Sequence, residues 1–350
     1  MNPDVKSLRG KRVYVGLSGG VDSAVTASLL CEQGALVTGV FIKGWYPPGL
    51  PCTWATDRRD AMRVAARLGI QFETLDASAK YKQSVIEYLI REYGAGRTPN
   101  PDIFCNRDVK FGAYFRYAKA QGADFIATGH YAQTRGGRLY RGSDPAKDQS
   151  YFLWAVPHDA LAETLFPLGE LTKSEVRTIA TTQNLPVADK KDSQGICFLG
   201  SISIEEFLRS ELTVAPGKAV DESGNHIGTH DGSILYTLGE RISLREASRG
   251  PWYVQKKDLI TNTLTVSLTR KTASTAKAVL LEQPNFFRLP EEGKQYTAQY
   301  RYHGPIITGT LTKEGAVFTP EKTLLENLSE GQSLVIYEDD ECIGGGIIAG

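Results

Sequence analysis

The stretch V-Y-V-G-L-S-G-G-V-D-S-A-V-T, Val13 to Thr26, decides the fold of this chain. Arg12 to Leu17 is a short β-rich run. Gly19 and Gly20 break it, and a helix follows whose Val21, Val25 and Leu29 stack at four-residue steps. A strand, a glycine turn and a helix in that order announce an α/β unit, and the neighbouring sequence continues it. Ala35 to Lys43 reads as a second strand. Ala61, Val64, Ala65 and Leu68 mark one face of a second helix. Ile70 to Leu75 is a third strand, Ala77 to Tyr93 a helical stretch, and Asp124 to Thr128 another buried strand. This alternation implies a mostly parallel sheet covered on both faces. Thr172-x-x-Glu175 and Ser203-x-x-Glu206 are capping boxes that start two later helices.

Past Leu212 the helical period fades. Leu264, Val266 and Leu268 alternate with Thr265 and Ser267. Tyr296, Ala298, Tyr300 and Tyr302 alternate with Thr297, Gln299, Arg301 and His303. These are the marks of half-buried antiparallel strands. The expected organisation is an α/β catalytic domain over 1–212, a small central β domain over 213–271 and a C-terminal β barrel over 272–350.

With 350 residues the chain exceeds the usual single-core limit, which agrees with several domains. Forty Lys plus Arg balance forty Asp plus Glu, which excludes a protein that coats nucleic acid by bulk charge. No apolar run reaches the roughly 18 residues of a membrane span. Met1 to Lys11 is polar and lacks the apolar core of a signal peptide. A cytoplasmic protein without membrane contact is expected. The five cysteines, Cys31, Cys52, Cys105, Cys197 and Cys342, are odd in number, widely spaced and free of C-x-x-C pairs. Neither a zinc ribbon nor a disulfide framework fits them.

The turn S-G-G-V-D-S, Ser18 to Ser23, carries the clearest chemistry. Two glycines let the backbone approach a ligand closely, and several N–H groups converge at a helix N-terminus, where a polyphosphate is favoured. Ser18 and Ser23 add hydroxyls. Asp22 is out of place beside phosphates unless a cation bridges it, which suggests Mg²⁺. The G-x-x-x-x-G-K-[ST] and G-x-G-x-x-G patterns are both absent. Against this stands a plain capped glycine turn, common in α/β proteins.

Two cysteines sit in distinctive surroundings. Cys105 closes N-P-D-I-F-C-N, Asn100 to Asn106, whose Asn-Pro and Pro-Asp pairs read as a loop. A helix is expected from about Asn106. Cys105 would then lie at its positive end, with Arg97, Arg107 and Lys110 nearby, and its thiolate would be favoured. Cys197, in D-S-Q-G-I-C-F, is flanked by Ile196 and Phe198. On its own it reads as a small buried hydrophobe, as do Cys31 and Cys342.

Together, S-G-G-V-D-S, N-P-D-x-x-C-N and D-S-x-G-I-C-F resemble the tRNA-uridine 2-sulfurtransferases, or 2-thiouridylases, of the PP-loop ATP pyrophosphatase superfamily. The resemblance extends to A-T-G-H (Ala127 to His130), K-D-Q-S-Y-F-L (Lys147 to Leu153), L-G-E-L-T-K-S-E-V-R (Leu168 to Arg177), the His230 to Arg241 segment, R-Y-H (Arg301 to His303), G-Q-S (Gly331 to Ser333) and C-I-G-G-G (Cys342 to Gly346). The sequence departs from the family at Ile42, where Met is frequent, at Glu240, where Gln is usual, and over Ile242 to Arg249, which lacks the usual glycines.

The resemblance implies ATP-dependent 2-thiolation of the wobble uridine of tRNA. The uracil 2-oxygen is adenylated and pyrophosphate leaves. A persulfide on Cys197 delivers sulfur, and Cys105 then forms a transient disulfide with Cys197. Asp102 moves a proton or orients the thiol, or else caps the loop or helix. ATP would meet Gly16, Leu17, Ser18, Gly19, Gly20, Val21, Asp22, Ser23, Ile42 and Gly129. Asn100, Pro101, Asp102, His130, Lys147, Asp148, Gln149, Arg301, Tyr302 and Gln332 would meet the tRNA anticodon arm. A persulfide donor or relay protein is the other implied partner, and the enzyme is expected to be a monomer. A competing reading makes Asp102, Cys105 and Cys197 ligands of an iron–sulfur cluster, ranked lower because the set is sparse. Two functional alternatives remain: another PP-loop enzyme, amide-forming or modifying tRNA differently, and a non-catalytic RNA-binding or sulfur-carrier protein.

The zero net charge hides a local excess. Residues 91–147 hold ten basic and five acidic residues, a surplus of +5 around Cys105, His130 and Lys147. A basic face for tRNA is expected there.

Overall fold

The computed structural model describes residues 7–47, 54–192, 202–269, 278–322 and 328–349. Cys52 and Cys197 therefore lie outside the described residues.

The first unit is built on a five-stranded parallel sheet. Its strands are β1 (Arg12–Gly16), β2 (Leu36–Lys43), β3 (Gln71–Asp76) and β4 (Phe125–Ala127), with β7 (Thr164–Leu165) at one edge. The spatial order is β3-β2-β1-β4-β7. β1 is central because it is apolar on both faces: Val13 and Val15 are fully buried and Tyr14 nearly so. The helix Val21–Glu32 packs Ala24, Val25, Ala27 and Leu30 into the core on one side. The opposite face is covered by the helices of residues 78–94 and 101–120. The expected helix over Ala77 to Tyr93 is present as Ser78–Tyr81, a π-helical stretch Lys82–Ile86, and Glu87–Gly94. Both capping boxes form: Thr172 with Glu175 opens the helix Lys173–Thr182, and Ser203 with Glu206 opens Ile204–Glu211. Chain order reverses between β1 and β4. The crevice at their carboxyl ends is where such sheets hold ligands.

Between β4 and β7 the chain inserts a hairpin, β5 (Ala132–Arg135) and β6 (Arg138–Arg141). The second unit is a five-stranded sheet of β8 (Gly217–Val220), β9 (His226–His230), β10 (Arg241–Ile242), β11 (Trp252–Asp258) and β12 (Thr263–Ser267). The third has β13 (Val279–Phe286), β14 (Gln295–Gln299), β15 (Ile306–Leu311), β16 (Val317–Pro320), β17 (Ser333–Glu338) and β18 (Glu341–Ile348). These six close into a barrel through the β13–β18 pairing, and β18 also pairs with β6. The barrel's sheet thus continues into the first unit. Tyr296, Ala298, Tyr300, Leu334, Ile336 and Ile343 fill the barrel interior.

Two local expectations are corrected. β14 ends at Gln299, so Tyr302 is not on the alternating strand; it lies in a turn closed by Gly304 N–H donating to the Arg301 carbonyl at 2.9 Å. The helix carrying Cys105 begins at Pro101, not near Asn106.

Candidate functional site

The glycine turn lies at the carboxyl end of β1. Gly19 has φ of +78°, and an added Cβ would run into the Asp57 carbonyl, so only glycine serves there. Ser23 Oγ accepts from Ser18 N at 3.2 Å and donates to the Gly20 carbonyl at 3.1 Å; Ser18 Oγ lies 3.2 Å from it. Gly20 N also donates to Ser18 Oγ at 3.3 Å, so the loop is tied to itself. Leu17 and Val21 are buried and hold the loop's two ends in the core. Across the crevice, Gly129 follows β4 and packs on the loop so closely that a Cβ would come within 2.9 Å of Ser23 N. Gly16 faces Ile42 of β2, with an added Cβ 3.9 Å from the Ile42 methyl. Gly16, Ile42 and Gly129 thereby lie close beside the glycine loop.

Asp22 has a cation, and it is a lysine. Lys173 Nζ lies 2.7 Å from Asp22 Oδ1, which also accepts from Tyr131 Oη at 2.8 Å. Lys173 simultaneously meets Asp192 Oδ1 at 2.8 Å. Asp192 gathers two further cations, Arg177 at 2.6 Å and Lys147 at 3.0 Å. Burial pushes the Asp192 pKa up, but the hydrogen bonds from Lys173 and Lys147 prevail and hold it at about 2. Lys190 joins Asp57 (2.9 Å) and Asp60 (2.8 Å) beside the same loop. None of Lys173, Asp192 and Lys190 was assigned a role from sequence. One signal was available: Lys173 is the first residue of its helix, where the helix dipole disfavours a cation.

The second cluster centres on Cys105. Asn100 is the N-cap of its helix, its Oδ1 accepting from Asp102 N, and Pro101 occupies the first turn. Cys105 falls at the start of a π-helical run, Cys105–Tyr114, an uncommon geometry that recurs at functional sites. It is buried at 6% exposure and is not in a disulfide. The Asp102 side chain is open to solvent yet crowded by protein. That crowding raises its pKa above the ordinary carboxylate value, with the Lys110 ammonium opposing.

Lys110 Nζ also lies 3.4 Å from His130 Nε2. An ammonium only donates, so Nε2 is the accepting nitrogen. Nδ1 then carries the proton and donates to Thr128 Oγ1 at 2.7 Å. Burial holds the His130 pKa well below the usual imidazole value, and Lys110 acts in the same direction. His130 is a buried, neutral ring.

The other candidate RNA contacts are placed as follows. Lys147 is half-buried on Asp192. Asp148 is buried with both oxygens engaged, by Gly142 N and Ser150 N at 3.0 Å each, Arg141 at 3.0 Å and Ser150 Oγ at 3.1 Å. Gln149 Oε1 accepts from Tyr131 N at 3.1 Å. Arg301 and Tyr302 lie in the barrel turn already described. Gln332 Nε2 donates to the Thr98 carbonyl at 2.7 Å. Of the ten basic residues in 91–147, seven (Arg91, Arg97, Arg107, Lys119, Arg138, Arg141 and Lys147) meet carboxylates within 4 Å. The expected basic face is largely neutralised by the fold.

Among the described residues, no group of three or more His, Cys, Asp or Glu is placed to hold a metal ion. No described helix is long and apolar enough to cross a membrane. The 550 Å³ cleft lined by Arg138, Arg288, Lys294 and Glu338 lies between hairpin and barrel, away from both clusters.

Comparison with known proteins agrees with this anatomy. Residues 11–201 match a family model described as tRNA methyl transferase HUP domain, 205–268 its PRC-barrel domain, and 276–348 an aminomethyltransferase beta-barrel domain. The chain is 42% identical over 355 residues to the tRNA-specific 2-thiouridylase MnmA of Serratia proteamaculans (strain 568), covering 97% of each. It is 44% identical over 357 residues to that of Pseudomonas fluorescens (strain Pf0-1), covering 97% of this chain and 94% of the relative. Among solved structures, the U34-tRNA thiolase NcsA from Methanococcus maripaludis with its [4Fe-4S] cluster matches 58% of this chain and 64% of its own, at 20% identity and a TM-score of 0.37. A strand–glycine loop–helix crevice, a cysteine helix capped by Asn100 and a closed barrel thus occur in a chain that matches these relatives over 97% of its length, and it belongs to the tRNA-specific 2-thiouridylase family.

Proposed function

We propose that this enzyme replaces the 2-oxygen of the wobble uridine of tRNA with sulfur, at the expense of ATP. Uridine 2-thiolation is the activity of the family. The proposal adds the wobble position, the intermediates and the residue roles.

ATP enters the crevice with its phosphates on Ser18 to Ser23 and its adenine toward Gly16, Ile42 and Gly129. The uracil 2-oxygen attacks the α-phosphorus. The bond to the bridging oxygen breaks with its electron pair, pyrophosphate leaves, and the N3 proton passes to a base. Fixed N–H groups and the Lys173 ammonium stabilise the developing charge. A Mg²⁺ ion carried in with the phosphates fits beside Asp22, one carboxylate and two serine hydroxyls being an ordinary protein share for it, and would neutralise phosphate charge.

The target base must leave the anticodon stack. Asn100, Pro101 and Asp102 receive it, and Asp102, accessible and with a raised pKa, is suited to hold or take the proton. Cys197 carries a persulfide supplied by a relay protein. Its outer sulfur attacks C2 and AMP departs. The Cys105 thiolate then attacks the inner sulfur of Cys197, releasing the thiocarbonyl and leaving a disulfide that an external thiol reduces. The enzyme acts as a cytoplasmic monomer, with Lys147, Gln149, Arg301 and Tyr302 toward the RNA.

The observation that carries this reading is that one chain holds both the loop cluster at Asp22 and the Asn100-capped cysteine helix and matches thiouridylases over 97% of its length. Mass spectrometry of tRNA nucleosides after incubation with ATP and a persulfide source tests it. Wild type forms 2-thiouridine, and Cys197→Ser releases pyrophosphate without thiolation. Unimpaired thiolation by Cys197→Ser would overturn it.

A further inference from the structure

We propose that the His303 ring is a stacking platform for a nucleobase of the bound tRNA, one that neighbours the extruded uridine. The proposal rests on the tRNA substrate argued above and adds a binding element to it.

A run of aromatic rings leads from the cysteine helix to solvent. Asn106, next to Cys105, is 2% exposed and donates from Nδ2 to the Phe152 carbonyl at 3.0 Å. The Phe152 ring lies 4.5 Å from that of Tyr302 and meets Tyr151 edge-on at 5.4 Å. Tyr302 in turn stacks on His303, with centroids 3.9 Å apart and planes 23° from parallel. Phe152 and Tyr302 are half-buried, whereas His303 is exposed. Each ring is held by the one beneath it, and the last meets water.

A packed core would end such a series under a further side chain. Here the chain instead sets His303 at φ +52°, a left-handed conformation that residues other than glycine rarely adopt. The turn is fixed by Gly304 N–H on the Arg301 carbonyl, and a Cβ on Gly304 would run into the Arg301 stem. In this conformation the imidazole lies on Tyr302 with planes 23° apart. Outlying conformations of this kind concentrate at functional positions.

The chemistry points to a base. Extruding one nucleotide leaves its neighbour without a stacking partner, and a supported aromatic plane supplies one whatever the base. The barrel would then hold the loop around the uridine while the first unit does the chemistry.

The test uses the full-length protein and anticodon stem-loop RNAs carrying 2-aminopurine immediately 5′ or 3′ of the target uridine. With wild type, one of the two probes is quenched on binding. His303→Gly removes the ring and suits the positive φ, so it folds at least as well. It is expected to weaken RNA binding about tenfold, to abolish the quenching and to leave turnover at saturating RNA unchanged. His303→Phe should restore affinity and quenching, with the same salt slope as wild type, because stacking releases no counterions. The proposal is overturned if His303→Gly binds like wild type, or if His303→Phe binds as weakly as His303→Gly with a shallower salt slope, which marks a charge contact to phosphate. Absence of thiolation by wild type would instead sink the tRNA reading itself.

Discussion

Lys173 Nζ rests 2.7 Å from the Asp22 carboxylate, joining the first residue of one helix to the second residue of another across 151 positions of sequence. The loop Ser18 to Ser23 lacks a lysine of its own. On the proposed function, Lys173 is the cation held nearest that loop, through Asp22. Lys173→Met is therefore expected to slow tRNA-dependent pyrophosphate release by about 10²-fold or more while tRNA affinity stays near wild type. Lys173→Arg should recover part of the rate. Equal loss of tRNA binding and pyrophosphate release would show that Lys173 acts on the RNA.

Asp192 binds three cations at once, and its pKa near 2 sets a pH dependence. A carboxyl whose folded pKa is depressed stabilises the fold above its unfolded pKa near 3.9. That contribution fades as pH falls toward about 2. Asp192→Asn should thus be less stable than wild type at neutral pH, with the difference closing between about pH 4 and pH 2. Acid-unfolding curves followed by circular dichroism check it. A constant difference across that range would mean that packing, not charge, is what Asp192 contributes.

Asp102 has the opposite sign. Its folded pKa is raised by the protein crowded around it, so the charged form is disfavoured in the native state. The cost is absent below the ordinary carboxylate pKa and grows as pH rises through the folded value. Asp102→Asn is expected to be slightly more stable than wild type at neutral pH and deficient in thiolation, a trade common at catalytic groups. Thermal midpoints at pH 4 and pH 7.5 decide it: the gain should appear only at the higher pH.

The parts of the molecule that were legible in sequence are those governed by near neighbours. β1, its glycine loop and the following helix follow from a run of Val residues, two glycines and a four-residue period, and both capping boxes formed as read. Asn100-Pro101 misled because the same dipeptide suits a turn and a helix start; Asn100 caps and Pro101 enters the first turn, moving Cys105 off the helix end. Tyr302 misled because the alternation of tyrosines outlasts the strand, which stops at Gln299. The +5 surplus over 91–147 misled for a different reason. Arg97 meets Glu282, Lys119 meets Glu163, Arg138 meets Glu341 and Lys147 meets Asp192, all carboxylates outside the window. Long-range pairing of this kind has no local signature.

Gly19 separates strain from function in the loop Ser18 to Ser23. At φ +78° an alanine costs about 1–2 kcal/mol from backbone conformation alone, and its methyl meets the Asp57 carbonyl, which is fixed in a helix. Gly19→Ala is expected to lose at least that much stability and to raise the KM for ATP, because relief of the clash must shift the loop. Chemical denaturation and pyrophosphate-release kinetics check the two effects. Normal stability with a raised KM would mean that the loop relaxes freely when empty.

Gln332 links the barrel to the segment that leads into the cysteine helix. Its amide donates to the Thr98 carbonyl at 2.7 Å, while Thr98 N donates to the Glu330 carbonyl at 2.8 Å and Thr98 Oγ1 reaches Thr237 Oγ1 of the central unit at 3.3 Å. Thr98 is two residues before Asn100, so all three units fix where the Asn100 cap begins. Gly331 is required for this approach: its φ is +87°, and a Cβ would lie 3.1 Å from Thr98 N. Gln332→Ala should therefore cost about 1 kcal/mol of stability. It should also lower turnover at saturating tRNA several-fold and speed amide hydrogen exchange across residues 97–106. A contact made only with RNA would raise the KM for tRNA and leave both turnover and exchange unaltered. The two roles are thus separated by measurements on the same variant, and the short bond to Thr98 predicts the first.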